Sequence, residues 1–293
     1  MSGAAAPRHL WPLIAVMILG WSANFTIAKF AVREMPPLLV AGLRMMLASL
    51  FILPLYFWRG RRASAGRWRR SDILPLIGIG ILGIAGNQVL FLLGIQRTSV
   101  AHAVLLFVLT PVLVLLAASA LRHEQLTGRK IAGMAIALAG VLSLQVSAGA
   151  DRHATVSGDL LILAATVAFA SFTVFGRPAS VRLGSITVNT VAFVGCSLVL
   201  LLPTLWSARS FDFSRISLTA WASILYMAAF PSVVCYLIYY YALTYLTASR
   251  VAAFTYLEPP LAALLAIPLL GENITYAVAM SGALVLAGVY LTE

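Results

Sequence analysis

An acidic side chain lies in the middle of a long apolar run. Glu258 occupies the centre of the ninth such run and is followed directly by Pro259 and Pro260. A carboxylate at the centre of a membrane helix costs about 2.5–3.5 kcal/mol on insertion scales, so it should face protein or water. The two prolines remove backbone donors and leave carbonyls of the preceding turn without helix partners. This combination predicts a ligand-binding or proton-carrying site, and the alternative is a structural Glu258 that holds helices together, either protonated or paired with an arginine such as Arg44.

A tryptophan and an asparagine share one face near the centre of the first apolar run. Trp21 and Asn24 are three residues apart, which places them on the same side of a helix. Tryptophan usually lies at the membrane interface, but the interface is about ten helical residues away from the midplane. We therefore predict that the pair lines a cavity, with core packing and an interhelical hydrogen bond as the alternative.

The chain repeats itself with an offset of 148 residues. Segment 94–142 aligns with 242–290 without a gap, and Pro111 coincides with Pro259. Further identical pairs are Glu124 with Glu272 and Thr127 with Thr275, which fall at span ends and are predicted to form equivalent structural turns. A duplicated chain of apolar segments is typical of secondary transporters, in which two halves rock about a site between them.

The repeat places polar side chains at equivalent depths in the two halves. The same offset pairs Gln88 with Tyr236 and Thr110 with Glu258. A central binding site would be lined by polar side chains from both halves at matching depths in this way. The alternative is that these side chains form ordinary hydrogen bonds between helices. The predicted substrate-binding residues are Trp21, Asn24, Asn87, Gln88, Thr110, Tyr236, Tyr239, Tyr240 and Glu258. Glu258 and Arg44 are also the candidates for coupling transport to an ion.

The composition is that of an integral membrane protein. Of 293 residues, 61% are hydrophobic and 10% are charged, and the mean hydropathy is +0.97. A soluble domain would carry about 25% charged residues. No GxxxxGK[ST] or GxGxxG motif occurs, so we expect neither ATP drive nor a cofactor. Cys196 and Cys235 lie within apolar runs and are expected to be packing residues, so no metal site is predicted.

Ten apolar stretches are long enough to cross a membrane as helices. They lie near residues 10–31, 38–58, 72–95, 100–121, 128–148, 158–177, 185–207, 219–246, 249–270 and 275–292. The loop 59–71 holds six arginines, and placing it in the cytoplasm puts 13 basic residues on that side against 6 on the other. This bias predicts that both termini are cytoplasmic, with the net charge of +11 reflecting topology rather than nucleic-acid binding.

Five spans per half is an odd number, so the second half enters the membrane from the opposite side. We therefore predict an all-α integral membrane protein with ten helices in two inverted five-helix repeats. The first repeat is predicted to cover residues 1–150 and the second 151–293, with the segment 149–157 as the joint.

Two runs of the sequence resemble one family. The end of the chain reads ALTYLTASRVAAFTYLEPPLAALLAIPLLGENITYAVAMSGALVLAGVYL, which resembles the end of an EamA repeat. The first half carries the other copy, GIQRTSVAHAVLLFVLTPVLVLLAASALRHEQLTGRKIAGMAIALAGVLSL. WSANFTIAKFAV and AGLRMMLASL are similar to the start of such a repeat. Together they resemble the bacterial drug/metabolite transporter superfamily, which implies two inverted repeats in the inner membrane and export of amino acids or related metabolites. The abundance of tyrosine and tryptophan suggests its aromatic amino-acid branch.

The sequence thus predicts a secondary transporter whose partners are a small-molecule substrate and the lipid bilayer. Rival predictions on the same scaffold are a carrier of drugs, nucleobases or sugar conjugates, or a channel. An integral-membrane enzyme would need converging acids, bases or metal ligands at one depth, and the sequence shows no such group. The exact substrate, the coupling ion, the resting conformation and the oligomeric state stay open.

Overall fold

The computed structural model describes residues 7–63, 68–98, 100–147, 155–261 and 276–292, and every regular element in these ranges is a helix. Helices are expected because a backbone in lipid must satisfy its own hydrogen bonds. The principal helices are α1 (Leu10–Glu34), α2 (Pro37–Gly60), α3 (Arg70–Arg97), α4 (Val100–Phe107), α5 (Thr110–Ala120), α6 (Gly128–Ser147), α7 (Val156–Leu183), α8 (Ser185–Ala208), α9 (Leu218–Tyr245), α10 (Ala248–Ala253) and α11 (Tyr276–Thr292).

Six of these helices are long and apolar enough to cross a membrane, namely α1, α2, α3, α7, α8 and α9. The all-helical prediction is confirmed for the described residues. The fourth predicted span is interrupted and forms α4 and α5, and the ninth begins as α10. The ninth span beyond residue 261 and residues 149–154 of the proposed joint at 149–157 lie outside the described residues, so the count of ten and the division at residue 150 stay predictions.

The helix packing has the pattern of a two-fold relation. α2 packs along α8 and α6 along α11, and each of these two pairs joins a helix to its counterpart 148 residues later; α5 packs against α10, which is the counterpart of α4. α1 packs against α9, and α3 packs against α7. The offset converts α1 into α7 and α3 into α9, so these two interfaces are also equivalent. The packing is therefore unchanged when the two halves exchange roles, as in an isologous interface.

Two residues contact their own repeat equivalents, which requires them to lie at the two-fold axis. The Ser49 hydroxyl forms a 2.7 Å hydrogen bond with the hydroxyl of Ser197, and the two residues are 148 positions apart. The rings of Trp21 and Phe169, which have the same separation, meet edge to face with centroids 5.6 Å apart. The axis therefore runs through the α2–α8 contact and through the aromatic core beside α1.

The hydrogen bonds at the ends of α3 and α9 are also repeated. Lys29 Nζ donates to the carbonyl of Thr98 over 2.6 Å, and Arg177 Nε donates to the carbonyl of Leu246 over 3.3 Å. Both acceptors follow the last residue of their helix, where carbonyls lack partners within the helix. A cation at a helix C-terminus also complements the helix dipole. Lys29 and Arg177 therefore stabilise equivalent helix ends.

Two glycines permit close approach of paired helices. A Cβ atom on Gly83 of α3 would lie 2.1 Å from the Cβ of Phe172 on α7. A Cβ on Gly288 of α11 would lie 2.5 Å from the Gly133 carbonyl oxygen of α6. Any side chain at either position would push the paired backbones apart, because small residues allow membrane helices to pack closely.

Glu124 ties the turn between α5 and α6 to the start of α10. Its carboxylate accepts the backbone N–H of Ser249 at 3.1 Å, and it also accepts the Ser249 hydroxyl and Lys130 Nζ. Burial of the carboxyl opposes its ionisation, but these hydrogen bonds outweigh it and hold the pKa of Glu124 below its usual value. Glu124 thus makes a structural turn, while its counterpart Glu272 lies outside the described residues.

Candidate functional site

Two helices widen into a π-helical turn at equivalent positions. In α3 the turn is Ile81–Gly86, and in α9 it is Ala228–Cys235. Pro231 within the second turn has no backbone N–H to continue a regular helix. π-Helical turns inside α-helices occur frequently at functional sites. Here each turn ends directly before predicted site residues.

A second pair of interruptions lies in the repeated segment. α4 ends at Phe107 and α5 begins at Thr110, while α10 passes through a 3-10 turn, Phe254–Leu257, before the helix resumes at Glu258. The residues that restart the two helices are repeat equivalents. Interrupted membrane helices are found where backbone and helix ends line a central binding site. Both interruptions reach the same cavity.

The cavity lies between the two halves, beside the aromatic residues at the two-fold axis. Its empty space is about 600 Å³ with the open solvent at its mouth included. Small-molecule sites are concave and mostly apolar with a few polar groups, and the walls of this cavity have that character. The lining residues are Trp21, Asn24, Phe25, Arg44, Asn87, Gln88, Phe91, Val104, Phe107, Val108, Thr110, Phe169, Tyr236, Thr255, Glu258 and Pro259.

The structure brings most of the predicted site residues to this cavity. Seven of the nine predicted substrate-binding residues and both coupling candidates border it. Asn87 is anchored, because its Nδ2 donates to the Ala165 carbonyl at 2.8 Å, and its Oδ1 accepts from Gln88 Nε2 at 3.3 Å. The equivalent bond in the other half runs from Cys235 Sγ to the Met17 carbonyl.

Buried polar atoms at the cavity lack partners. Among the described residues, four buried atoms on lining side chains accept or donate no hydrogen bond, and they are Asn24 Oδ1, Arg44 Nη1, Gln88 Oε1 and Thr110 Oγ1. A buried polar group without a partner costs about 1–3 kcal/mol. Four such groups around one space indicate a site that is completed by a polar ligand or by water.

Trp21 forms the aromatic centre of the cavity wall. Its side chain is only 9% exposed, and its indole N–H donates to the Pro231 carbonyl over 3.1 Å. Its ring lies 5.7 Å from that of Tyr236 and 5.3 Å from that of Tyr239, measured between centroids. The hydrogen bond joins α1 to the π-helical turn of α9. Trp21 therefore belongs to the packing and to the cavity surface at once.

Arg44 and Glu258 are buried on opposite halves of the protein without pairing. Arg44 is 1% exposed and donates through Nε to the Ser232 hydroxyl at 2.8 Å. Glu258 is 7% exposed, and its backbone carbonyl accepts from Ser22, while no described group donates to its carboxylate. No ion pair joins Arg44 to Glu258 in the described part of the chain. The structural alternative of a direct Arg44–Glu258 pair is therefore wrong for this conformation.

Two predicted site residues lie behind the cavity wall. The Tyr239 hydroxyl is hydrogen-bonded to that of Thr173 at 3.0 Å, and the Tyr240 hydroxyl donates to the Phe172 carbonyl at 2.6 Å. Both tyrosines are fully buried, and neither borders the cavity. They support Trp21 and α7 from behind instead of facing a ligand.

The sequence reasoning missed several lining residues. Phe169 borders the cavity and is the repeat equivalent of Trp21, so the offset of 148 could have identified it. Ser232 holds Arg44 and carried no signal, because a serine in an apolar run is common. Phe25, Phe91 and Phe107 form one cluster of edge-to-face rings with centroids 5.5–5.7 Å apart. Such phenylalanines cannot be told from core residues by sequence alone.

Comparison with known proteins agrees with this arrangement. The sequence profile of the EamA-like transporter family matches the chain twice, at residues 9–145 and 156–293. An "Uncharacterized transporter" of Archaeoglobus fulgidus is 30% identical over 287 residues, covering 96% of each chain. A "Probable terminal-alkyne amino-acid exporter" of Streptantibioticus cattleyicolor is 29% identical, covering 97% of this chain and 93% of that protein. A "Probable amino-acid metabolite efflux pump" of Salmonella typhimurium is 27% identical, covering 95% and 93%.

A solved crystal structure shares the fold. It superposes with a TM-score of 0.77 at 20% sequence identity, and the match covers 98% of this chain and 96% of the other. At that identity the likeness concerns the fold alone. It shows that a protein of quite different sequence has the same arrangement of helices.

Proposed function

Because this chain belongs to the EamA-like transporter family, we propose that it is a secondary transporter that exports amino acids or related small metabolites across the bacterial inner membrane. The observation that carries the proposal is the cavity between the two halves, where four buried polar atoms lack partners. Two relatives with amino-acid exporter or efflux names support the choice of cargo.

The mechanism we propose is alternating access about this cavity. Two halves with equivalent interfaces have two arrangements of similar energy, one for each side of the membrane. The interrupted helices α4–α5 and α10 meet the cavity in each half, so rearrangement at these breaks would change access without unfolding a complete helix. The contacts of Ser49 with Ser197 and of Trp21 with Phe169 would serve as the pivot, because they lie at the axis.

The membrane orientation is part of the proposal, with both termini in the cytoplasm. Arg182, in the last turn of α7, pairs with Asp72 at 2.5 Å. This ion pair brings the end of the arginine-rich loop and the α7–α8 turn to one end of the bundle. At the other end, Glu34 accepts the backbone N–H of Ser217 at 2.8 Å. Accessibility labelling of single cysteines at positions 62 and 182 tests this orientation, and labelling from opposite sides of the membrane would contradict it.

The cavity residues have distinct proposed roles. Trp21, Phe169 and Tyr236 form an aromatic surface for an apolar or cationic part of the substrate. Asn24 and Gln88 offer amide groups for hydrogen bonds to the polar part. Tyr239 and Tyr240 keep the aromatic surface in place and do not contact the substrate directly.

Counterflow in liposomes is the direct test. Purified protein is reconstituted with a panel of unlabelled amino acids inside, and uptake of labelled phenylalanine is measured with and without an imposed pH gradient. Saturable uptake that internal amino acids stimulate supports the proposal. Stimulation only by drugs, nucleobases or sugar conjugates would replace the cargo, and linear uptake without saturation would indicate a channel.

The same assay tests the coupling role of Glu258. We expect Glu258→Gln to abolish net uptake driven by the pH gradient, because the neutral amide cannot carry a proton. Exchange of substrate for substrate would persist if the carboxylate serves only coupling. Wild-type uptake with the normal response to pH in this variant would remove Glu258 from the coupling step.

A further inference from the structure

The guanidinium of Arg44 is buried and incompletely bonded. Its Nε donates to Ser232, while Nη1 has no partner, and the side chain borders the cavity. An arginine stays protonated in proteins, so this group holds a positive charge that the described protein groups leave without a paired anion. A buried charge without a partner is strongly unfavourable. The cavity therefore contains a fixed cation that an anionic group of a ligand would complete.

A carboxyl group, which can take the opposite charge, lies in the same cavity and does not pair with Arg44. Glu258 lines the cavity, and no described donor binds its carboxylate. The nitrogen atoms of Arg44 and the oxygen atoms of Glu258 are too far apart for an ion pair. Both side chains border the cavity without pairing with each other, so each can meet a charged group of a ligand that occupies the cavity.

The repeat gives this pair of charges a fixed direction. Arg44 of the first half corresponds to Ala192, and Glu258 of the second half corresponds to Thr110. The backbone around the cavity is close to two-fold symmetric, but the charges are not. Each half contributes one sign, so a ligand with separated charges would bind in a single orientation.

We propose that Arg44 binds the carboxylate and Glu258 binds the ammonium group of one substrate molecule, so that the ligand class is a zwitterionic amino acid. The proposal rests on the proposed function and specifies how its cargo is recognised. The amino-acid side chain would lie against Trp21, Phe169 and Tyr236, whose rings are 5.6–5.9 Å apart. An arginine suits this role because its planar guanidinium matches the geometry of a carboxylate.

Phenylalanine and its singly charged analogues test the proposal on the wild-type protein. Equilibrium binding in detergent is measured by calorimetry for phenylalanine, phenylalaninamide, phenethylamine and 3-phenylpropionate. We expect phenylalanine to bind at least about tenfold tighter than each analogue, because each analogue leaves Arg44 or Glu258 without its charged partner. Equal affinity for phenylalanine and any one of the three singly charged analogues would overturn the proposal, and this experiment requires no variant.

Variants then assign each charge to its residue. Arg44→Gln is expected to reduce phenylalanine binding to the level of phenethylamine while leaving phenethylamine within about threefold of wild type. Glu258→Gln is expected to do the converse, with 3-phenylpropionate unaffected. A loss that is the same for all ligands would indicate a structural role and overturn the assignment. Arg33→Gln is the matched control, because Arg33 is exposed at the end of α1.

The outcomes separate the two proposals. If wild-type counterflow moves amino acids but the charge variants lose all ligands equally, the recognition scheme fails and the transport function stands. If the protein moves no amino acid, the proposed cargo fails and the recognition scheme fails with it. Arg44→Lys provides a further check, because restored charge without the planar fork should recover part of the preference for phenylalanine over phenethylamine.

Discussion

Replacing Trp21 with smaller residues separates its contribution to packing from its contribution to the cavity. Trp21→Phe keeps an aromatic ring against Phe169 and Tyr236 but removes the N–H that bonds to Pro231. One such hydrogen bond contributes about 0.5–1.5 kcal/mol to stability. Trp21→Ala also removes three ring contacts, each of about 0.5–1.5 kcal/mol. Large-to-small changes of this kind cost about 3–5 kcal/mol in a closed core.

The cost of Trp21→Ala should lie at the low end, because Trp21 borders an existing cavity that water can fill. We therefore expect membrane yield close to wild type for both variants. Loss of one aromatic contact to the substrate, about 0.5–1.5 kcal/mol, should raise the half-saturating concentration for phenylalanine uptake about two- to tenfold in Trp21→Ala. Trp21→Phe should stay within about twofold of wild type, because its ring is retained.

The assays are phenylalanine counterflow in liposomes, with reconstituted protein quantified, and thermal melting of the same preparations. Phe172→Ala is the control, because Phe172 is 1% exposed, packs on α3 and does not border the cavity. Phe172→Ala should lower the melting temperature more than Trp21→Ala does. The half-saturating concentration for phenylalanine uptake should be unchanged in the fraction of this variant that stays folded. Equal loss of yield and uptake in Trp21→Ala, with normal half-saturation, would refute the reasoning and make Trp21 a packing residue.

Three further experiments test the scaffold. Glu124→Gln should lower the melting temperature at pH 7, since hydrogen bonds to a charged group contribute about 1.5–3 kcal/mol. The pKa of Glu124 is lower in the folded than in the unfolded state, so its carboxylate stabilises the fold fully above the unfolded pKa of about 4.3 and less below it. The melting temperature of the wild type should therefore fall more steeply than that of Glu124→Gln between pH 5 and 3. Ser49→Ala and Ser197→Ala should be non-additive in melting experiments, with a coupling of about 0.5–1.5 kcal/mol, and additive losses would place them off the axis. Lys29→Met should lower the melting temperature more than Arg177→Met, because Lys29 donates two short hydrogen bonds to carbonyls and Arg177 donates a longer one to Leu246. The reverse order would contradict this ranking of the two helix ends.

Much of the site could be predicted because a membrane penalises polar side chains. Glu258, Arg44, Asn87 and Gln88 were conspicuous in apolar runs, and the structure places all of them at the cavity. Tyr239 and Tyr240 were included for their type and position, yet they face away from it. Tyr239 and Tyr240 lie three and four residues after Tyr236, on the same side of α9, so only the packing of α9 decides which of these rings reaches the cavity.

The interruptions of the helices were only partly predictable. Pro259 and Pro260 predicted a break near Glu258, and a 3-10 turn precedes Glu258; the break before Thr110 was not predicted, although Pro111 is the repeat equivalent of Pro259. The π-helical turn in α3 has no such signal in the sequence, because its glycines and isoleucines are compatible with a regular helix. The π-helical turns of α3 and α9 pack against α7 and α1, and this packing depends on side chains far away in the sequence.

The sequence by itself determined the all-helical membrane architecture, the duplication and the depth of the polar residues. These follow from hydropathy, from an offset that can be read along the chain, and from the cost of burying charge in lipid. Only the tertiary structure decided which polar groups meet. It placed Trp21 on Phe169, gave Arg44 its partner Ser232, and kept Arg44 apart from Glu258. These contacts join residues more than a hundred positions apart, and their distances depend on how the helices pack rather than on any local preference of the chain.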